Sequence, residues 1–241
     1  MRGPAFWGVA GSPISHSLTP RLFSIVGDCL GIEQAEQVFI EATSISEFQS
    51  QASSLEGELW LSCTAPLKHS PQDRLGVTGP TGVNAINQLR RSGGKWSGTS
   101  TDGRGFVSAC RHIGIDPKGS VLRMRGGGSA ARSIAAAWSA QGGSIILEEG
   151  RRELISGPWD DCIVSHRDAD LAIDLDATPA GGDSAEMDAE RQVSISYGSG
   201  ALSDDFAVIM VAAQHIEAWK LLFAPSREEE IPSLEEILSA L

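Results

Sequence analysis

Apolar and polar positions along the chain switch repeatedly between two periods. Short apolar runs read as buried strands, and stretches with apolar residues three and four apart read as helices. Ala5–Ala10 is a strand that breaks at the loop residues Gly11-Ser12-Pro13, and Leu18–Leu30 is a helix stopped by Gly31. Val38–Ile40 is a second strand, Ser46–Leu55 a helix capped by Ser44 or Ser46, and Glu58–Cys63 a third strand running into Thr64-Ala65-Pro66. Val83–Thr99 reads as two extended pieces around a hairpin turn at Ser92-Gly93-Gly94, and Thr101–Ile113 is helical up to Gly114.

A second series begins near Lys118. Ser120–Met124 is a strand, Gly126-Gly127-Gly128 a glycine turn, Ser129–Gln141 an Ala-rich helix, and Ser144–Leu147 a strand ending in Glu148-Glu149. That order and spacing fit a dinucleotide-binding βαβ unit, whose backbone amides and helix N-terminus receive a pyrophosphate. Further strands are expected at Asp161–Val164, Leu171–Leu175 and Val193–Tyr197. A long helix over Phe206–Phe223 and a final amphipathic helix over Ser233–Leu241 follow, and Ala177–Ala189 is expected to be a mobile loop. Alternating strands and helices predict an α/β chain with helix-covered parallel sheets. It comprises an N-terminal α/β domain over 1–102, completed by about 215–241, and a compact Rossmann-like domain over 103–214.

Composition narrows the function. With 41% hydrophobic and 21% charged residues the chain can bury a core, and its net charge of −12, without a Lys/Arg stripe, argues against a nucleic-acid partner. Cys29, Cys63, Cys110 and Cys162 are scattered, without zinc-ligand spacing, and point to a reducing compartment. The longest apolar stretch, Phe206–Ala213, is too short for a membrane span, and the opening MRGPAFWGVAGS has no secretory pattern. A cytoplasmic protein with no metal is expected.

Candidate chemistry collects in loops after the first-domain strands, where open α/β sheets place ligands. These loops carry Ser15, Ser17, Thr64, Lys68, Asn87, Thr101 and Asp102, with His16 and His69 beside them. Taken singly, Lys68 reads as a surface lysine and Asp102 as a first-turn carboxylate. Together they suit a hydride-transfer enzyme, which needs a proton donor at the reacting oxygen and polar groups that hold a polyol.

In order, these segments resemble the shikimate dehydrogenase family. Its opening G-x-P-(I/V)-x-H-S-x-S-P is similar to Gly11–Pro20, its N-V-T-x-P-x-K to Ser62–Lys68, and its G-A-V-N-T to Asn84-Ala85-Ile86-Asn87-Gln88. N-T-D-G-x-G-F is similar to Ser100–Phe106, G-A-G-G-A-A-R to Gly126–Arg132, and the M-L-V-x-Q helix start to Ile209–Gln214, with Tyr197 for the tyrosine after the fifth strand. The resemblance implies reversible NADPH-dependent reduction of 3-dehydroshikimate to shikimate, with Lys68 and Asp102 as the catalytic pair. It implies substrate contacts from Ser15, Ser17, Ser62, Thr64, Asn87, Thr101, Tyr197 and Gln214. Cofactor contacts fall to Gly126, Gly127, Gly128, Ser129, Ala130, Glu148, Glu149 and Arg151. The partner implied is a small hydroxylated cyclic carboxylate, acted on by a monomer or homodimer.

Ser62 and Ser100 stand where the family has Asn, which suits a wider pocket or another polyol. Glu148-Glu149-Gly150 replaces the N-R-T that supports the 2′-phosphate of NADP, so NAD is an open alternative. Arg151 and Arg152 follow directly and offer charge for a phosphate. An NAD-preferring quinate, shikimate or aminoshikimate dehydrogenase is one alternative; a non-catalytic carboxylate-binding paralogue is another.

Overall fold

A computed structural model of the chain describes residues 3–32, 34–165, 167–177, 184–198 and 200–241. In chain order its first elements are β1 (Phe6–Gly11), α1 (Thr19–Cys29), β2 (Glu36–Glu41), α2 (Ile45–Ser53), β3 (Leu59–Cys63), α3 (Pro71–Leu75), β4 (Gln88–Ser92) and β5 (Lys95–Thr99). There follow α4 (Asp102–His112), β6 (Val121–Arg125), α5 (Ser129–Ala140), β7 (Ser144–Glu148), β8 (Leu171–Asp174), β9 (Arg191–Val193), α6 (Phe206–Ala218) and α7 (Leu234–Ala240). The chain forms two compact units. Unit one comprises Met1–Pro80, Asn84–Thr101 and Gln214–Leu241; unit two comprises Thr81–Val83 and Asp102–Ala213.

Unit one is built on a five-stranded sheet of order β2-β1-β3-β4-β5. β1 pairs in parallel with both β2 and β3, while β4 and β5 form the antiparallel hairpin at Ser92–Lys95. The sheet is therefore mixed, where the alternation of elements predicts a parallel one. Side chains alternate across β3: Leu59, Leu61 and Cys63 join a core with Phe48, Leu67, Ile86 and Leu89, leaving Trp60 and Ser62 to the opposite face. On that face Trp60 stacks on Phe223 at 5.2 Å and Trp7 on Phe23 at 5.6 Å. Gly27 of α1 lies under the Trp7 ring, and a Cβ there would come within 2.3 Å of it. Ser44 caps α2 by accepting from the Glu47 amide at 3.2 Å, and Ser233 caps α7 in a reciprocal box with Glu236.

Unit two carries a parallel sheet of order β7-β6-β8-β9. Two expected strands differ. Over Asp161–Val164 the chain makes a 3-10 turn at Asp160–Cys162 and a single parallel bridge from Ile163 to Ile145. There the Asp160 carboxylate accepts from the Gly157 amide at 2.9 Å, and Trp159 is fully buried, so a local turn wins over the ladder. β9 ends at Val193, where a strand was expected to begin; the Ser194 hydroxyl accepts from the Ser196 amide at 3.1 Å, a local bond that competes with strand pairing.

Of the loop expected to be mobile, 178–183 lie outside the described residues. The described part is tethered: the Ala185 amide donates to Asp174 at 2.8 Å and the Met187 amide to Gln192 at 3.0 Å.

α6 runs on through a π turn at Trp219–Phe223. This 18-residue run, longer than the Phe206–Ala213 stretch singled out in the sequence, is apolar enough by length and composition to cross a membrane, and 56% of it is buried. Trp219 and Phe223 belong to the aromatic core of unit one.

Candidate active site

The loops after β1 and β3 are locked together. Ser12 donates its amide to Ala65 O at 2.9 Å, and Thr64 donates to Ala10 O at 2.8 Å. Gly11 has φ +139°, and a Cβ would stand 2.4 Å from the Thr64 methyl, so only glycine fits this contact. The packing brings the loop bearing Ser15 and Ser17 against the one bearing Thr64 and Lys68. Ser15 is exposed; Ser17 and Thr64 are half-buried. The Ser17 hydroxyl accepts from the Thr19 amide at 3.3 Å.

Lys68 is half-buried in a 3-10 turn, Leu67–His69, whose backbone is tied to the segment ahead of β4 by the Ile86 amide donating to Lys68 O at 2.8 Å. Burial pushes the Cys63 thiol up to about 12 against the opposing pull of the Lys68 ammonium, which places that charge near the end of β3. His16 and His69 flank these loops, half-buried and exposed respectively.

Behind the loops lies a buried polar chain. The Thr101 amide donates to Asn87 Oδ1 at 2.6 Å, and Asn87 Nδ2 returns a bond to Thr101 Oγ1 at 3.0 Å. Gln88 Nε2 donates to the same hydroxyl at 3.3 Å. Ser62 donates to Gln88 Oε1 at 2.8 Å and lies 3.3 Å from His215 Nε2, which is also 3.3 Å from Thr19 Oγ1. With its proton given to Gln88, Ser62 is the acceptor from the imidazole, which fixes the Nε2–H tautomer. Burial drives the His215 pKa down to about 3, so the ring is neutral, and among the described residues its Nδ1 has no hydrogen-bond partner.

Of the residues picked out in the sequence, Ser62, Asn87 and Thr101 are therefore brought together, and the hydroxyls of Ser62 and Thr101 are engaged by protein partners. Gln88 and His215 were missed. A signal existed: Gln88 stands where the family motif has Thr, Ser62 where it has Asn, and the two are direct register partners between β3 and β4. Asp102, the first residue of α4 and of unit two, is buried; Gln214, the first residue of the return to unit one, is half-buried.

In unit two the glycine turn joins β6 to α5. Gly126 (φ +106°) packs against Asp176, and Gly127 packs under the backbone of Glu153, where a Cβ would come within 2.0 Å of the carbonyl oxygen. Gly128 faces open space. It is the N-cap of α5 and makes no side-chain cap bond. Ser129 and Ala130 open that helix, half-buried. Arg132 Nε donates to Val83 O at 2.7 Å, and burial followed by the charge of Arg152 lowers the Arg132 pKa.

At the end of β7, Glu148 is ion-paired with Arg123, and Glu149 O accepts from Arg125 Nε at 3.0 Å. Arg151 donates to Asp176 O at 2.9 Å and is largely exposed. Tyr197 lies half-buried beyond β9. Among the described residues no group of three His, Cys, Asp or Glu side chains is placed to hold a metal.

A parallel sheet with a glycine turn between its central strand and a helix gives unit two a Rossmann-like fold. In sequence the chain is similar to shikimate dehydrogenases. It is 33% identical over 160 residues to shikimate dehydrogenase (NADP(+)) of Xanthomonas campestris pv. campestris, a match covering 62% of this chain and 51% of that protein. The chain thus spans about half the length of the curated relatives it matches. No family model matches. Its fold is that of shikimate 5-dehydrogenase from Thermus thermophilus, solved in complex with NADP(H) and shikimate (TM-score 0.72, 19% identity, 97% of each chain covered). The ligand-free 5-ketofructose reductase of a Gluconobacter strain shares it too (TM-score 0.66, 15% identity, 98% of this chain and 96% of that one).

Proposed function

We propose that this chain is a dehydrogenase that reduces 3-dehydroshikimate to shikimate with NADPH, acting on a small hydroxylated cyclic carboxylate as a cytoplasmic monomer or homodimer. The observation that carries this is the locked pair of loops presenting Ser15, Ser17, Thr64 and Lys68 at the carboxyl ends of β1 and β3, in a chain whose curated relatives are NADP-dependent shikimate dehydrogenases.

The turn fits a dinucleotide. Gly128 leaves room for a close backbone approach, and the uncapped first turn of α5 offers amides to a pyrophosphate. Gly126, Gly127, Gly128, Ser129 and Ala130 would hold it there, with Arg151 and Arg152 near the adenosine end and Glu148 already neutralised by Arg123. When bound, the cofactor supplies the hydride. Lys68 donates a proton to the carbonyl oxygen as negative charge develops on it, and Asp102 completes the acid/base pair. Ser15, Ser17, Thr64, Asn87 and Gln214 hold the carboxylate and ring hydroxyls, with Tyr197 as a further substrate contact.

Nicotinamide absorbance followed with shikimate and with quinate, each against NADP and NAD, tests this directly. Turnover with shikimate and NADP is expected. Folded protein inactive with every pair would refute the reading. A second reading, a different polyol or keto substrate, draws on Ser62 and Ser100 standing in place of longer amides.

A further inference from the structure

The buried polar chain of unit one joins two places where the polypeptide leaves or re-enters that unit. Thr101 is the last residue before Asp102, and His215 is the second residue after the return at Ala213–Gln214. Between them run only Gln88 and Ser62, neighbours across the β3–β4 ladder, 2.8 Å apart through their side chains. With the imidazole proton assigned to Nε2, the bonds run one way: His215 Nε2–H to Ser62, Ser62 to Gln88 Oε1, Gln88 Nε2–H to Thr101. Hydrogen bonds in series polarise one another, and in a dry core each lost partner leaves an unpaired polar atom, so the chain behaves as one unit. Ser62, Gln88, Thr101 and His215 are each nine-tenths buried or more, so water cannot substitute for a missing member.

We propose that Gln88 and Ser62, acting through Thr101 and His215, are positioning residues that hold Asp102 and Gln214 in a common frame for the substrate. The proposal rests on the dehydrogenase reading for the roles of Asp102 and Gln214, but not for the geometry of the chain that links their neighbours. Neither Gln88 nor Ser62 needs to touch the substrate; each fixes the backbone from which a substrate-facing residue extends. The pair also explains how Ser62 tolerates the loss of a longer amide: the amide is supplied from the opposite strand by Gln88.

The test uses Gln88→Met, which keeps length and volume but removes both hydrogen-bonding functions, and Ser62→Ala, with Ser62→Thr as the conservative control that keeps the hydroxyl. Hydrogen exchange is read on the peptides spanning 99–105 and 213–217, alongside the melting temperature and steady-state kinetics. The expected result is faster exchange in both segments in Gln88→Met and Ser62→Ala, protection unchanged elsewhere, and restoration in Ser62→Thr. In the same variants kcat should fall by about 10- to 100-fold, the size of a small misplacement of a reacting group. KM should rise by a smaller factor than kcat falls, since Gln214 is one of several groups that hold the substrate. Unchanged exchange in both segments overturns the proposal whatever the activity does, and so does protection lost evenly along the chain. A parent protein that turns over no substrate sinks the dehydrogenase reading instead, and the exchange measurement still decides the positioning claim.

Discussion

Arg123 in β6 is ion-paired with Glu148 at the end of β7, so the acid that follows the second strand of the nucleotide-binding pattern already has a cation of its own. In the Rossmann pattern that acid accepts from a ribose 2′-hydroxyl and repels a 2′-phosphate. Here its charge is offset within the sheet. Glu148→Gln is therefore expected to shift the NADP to NAD ratio of kcat/KM by less than about threefold and stability by less than about 1 kcal/mol, as a partly exposed ion pair allows. Arg152→Ala, by contrast, should lower kcat/KM for NADP by about tenfold relative to NAD, the worth of one charge-assisted contact to phosphate. Parallel assays with both cofactors check this; a large ratio change in Glu148→Gln alone would return the acid to the ribose.

Lys68→Met should reduce turnover by about 10²- to 10⁴-fold, the usual contribution of a positioned acid/base. Dinucleotide affinity, read by calorimetry, should stay at the parent value, because Lys68 lies in unit one and the glycine turn in unit two. A variant that turns over at the parent rate removes Lys68 from the mechanism.

The glycines of the turn should separate cleanly. Gly127→Ala drives a methyl into the Glu153 carbonyl and should cost about 1–3 kcal/mol in a urea melt, as overpacked sites do. Gly128→Ala meets nothing, at φ −71° and ψ −174°, and should be neutral or slightly stabilising in the free protein. Its methyl would nevertheless stand where a pyrophosphate approaches, so the NADP-induced rise in Tm should shrink or vanish. A full ligand-induced shift in Gly128→Ala would mean the dinucleotide lies elsewhere.

His215 sets an acid limb on stability. In the unfolded chain its imidazole takes up a proton near 6.5; in the folded protein burial postpones this to about 3. Between those values the unfolded state binds more protons, so stability is greatest above about pH 6.5 and is lost progressively as pH falls toward 3. His215→Gln removes the titrating group, and its denaturation midpoint should fall less steeply over that window than the parent's. Parallel slopes would show that another group carries the acid limb.

Much of this protein is local and therefore legible in one dimension. The strand and helix periods, the Ser44 cap, the hairpin at Ser92-Gly93-Gly94, and the strand–glycine turn–helix–strand order around Gly126–Gly128 all arise from residues within a few positions of one another. Ser62, Asn87, Thr101, Lys68 and Asp102 could be picked out by motif for the same reason. What the residue string left open depends on distant partners. Ser62 meets Gln88 26 residues on and His215 153 residues on, and no periodicity encodes such a meeting. The carboxylate of Glu148 reads as free until β6 is laid beside β7 and brings Arg123 to it. The expected strand at Asp161–Val164 shrank to a single bridge because Asp160 and Trp159 found better partners locally and in the core. Element type follows from backbone preference and side-chain period, which neighbouring residues settle among themselves. Which buried polar groups pair is settled only when packing removes water and leaves each donor the acceptors the fold has brought within reach.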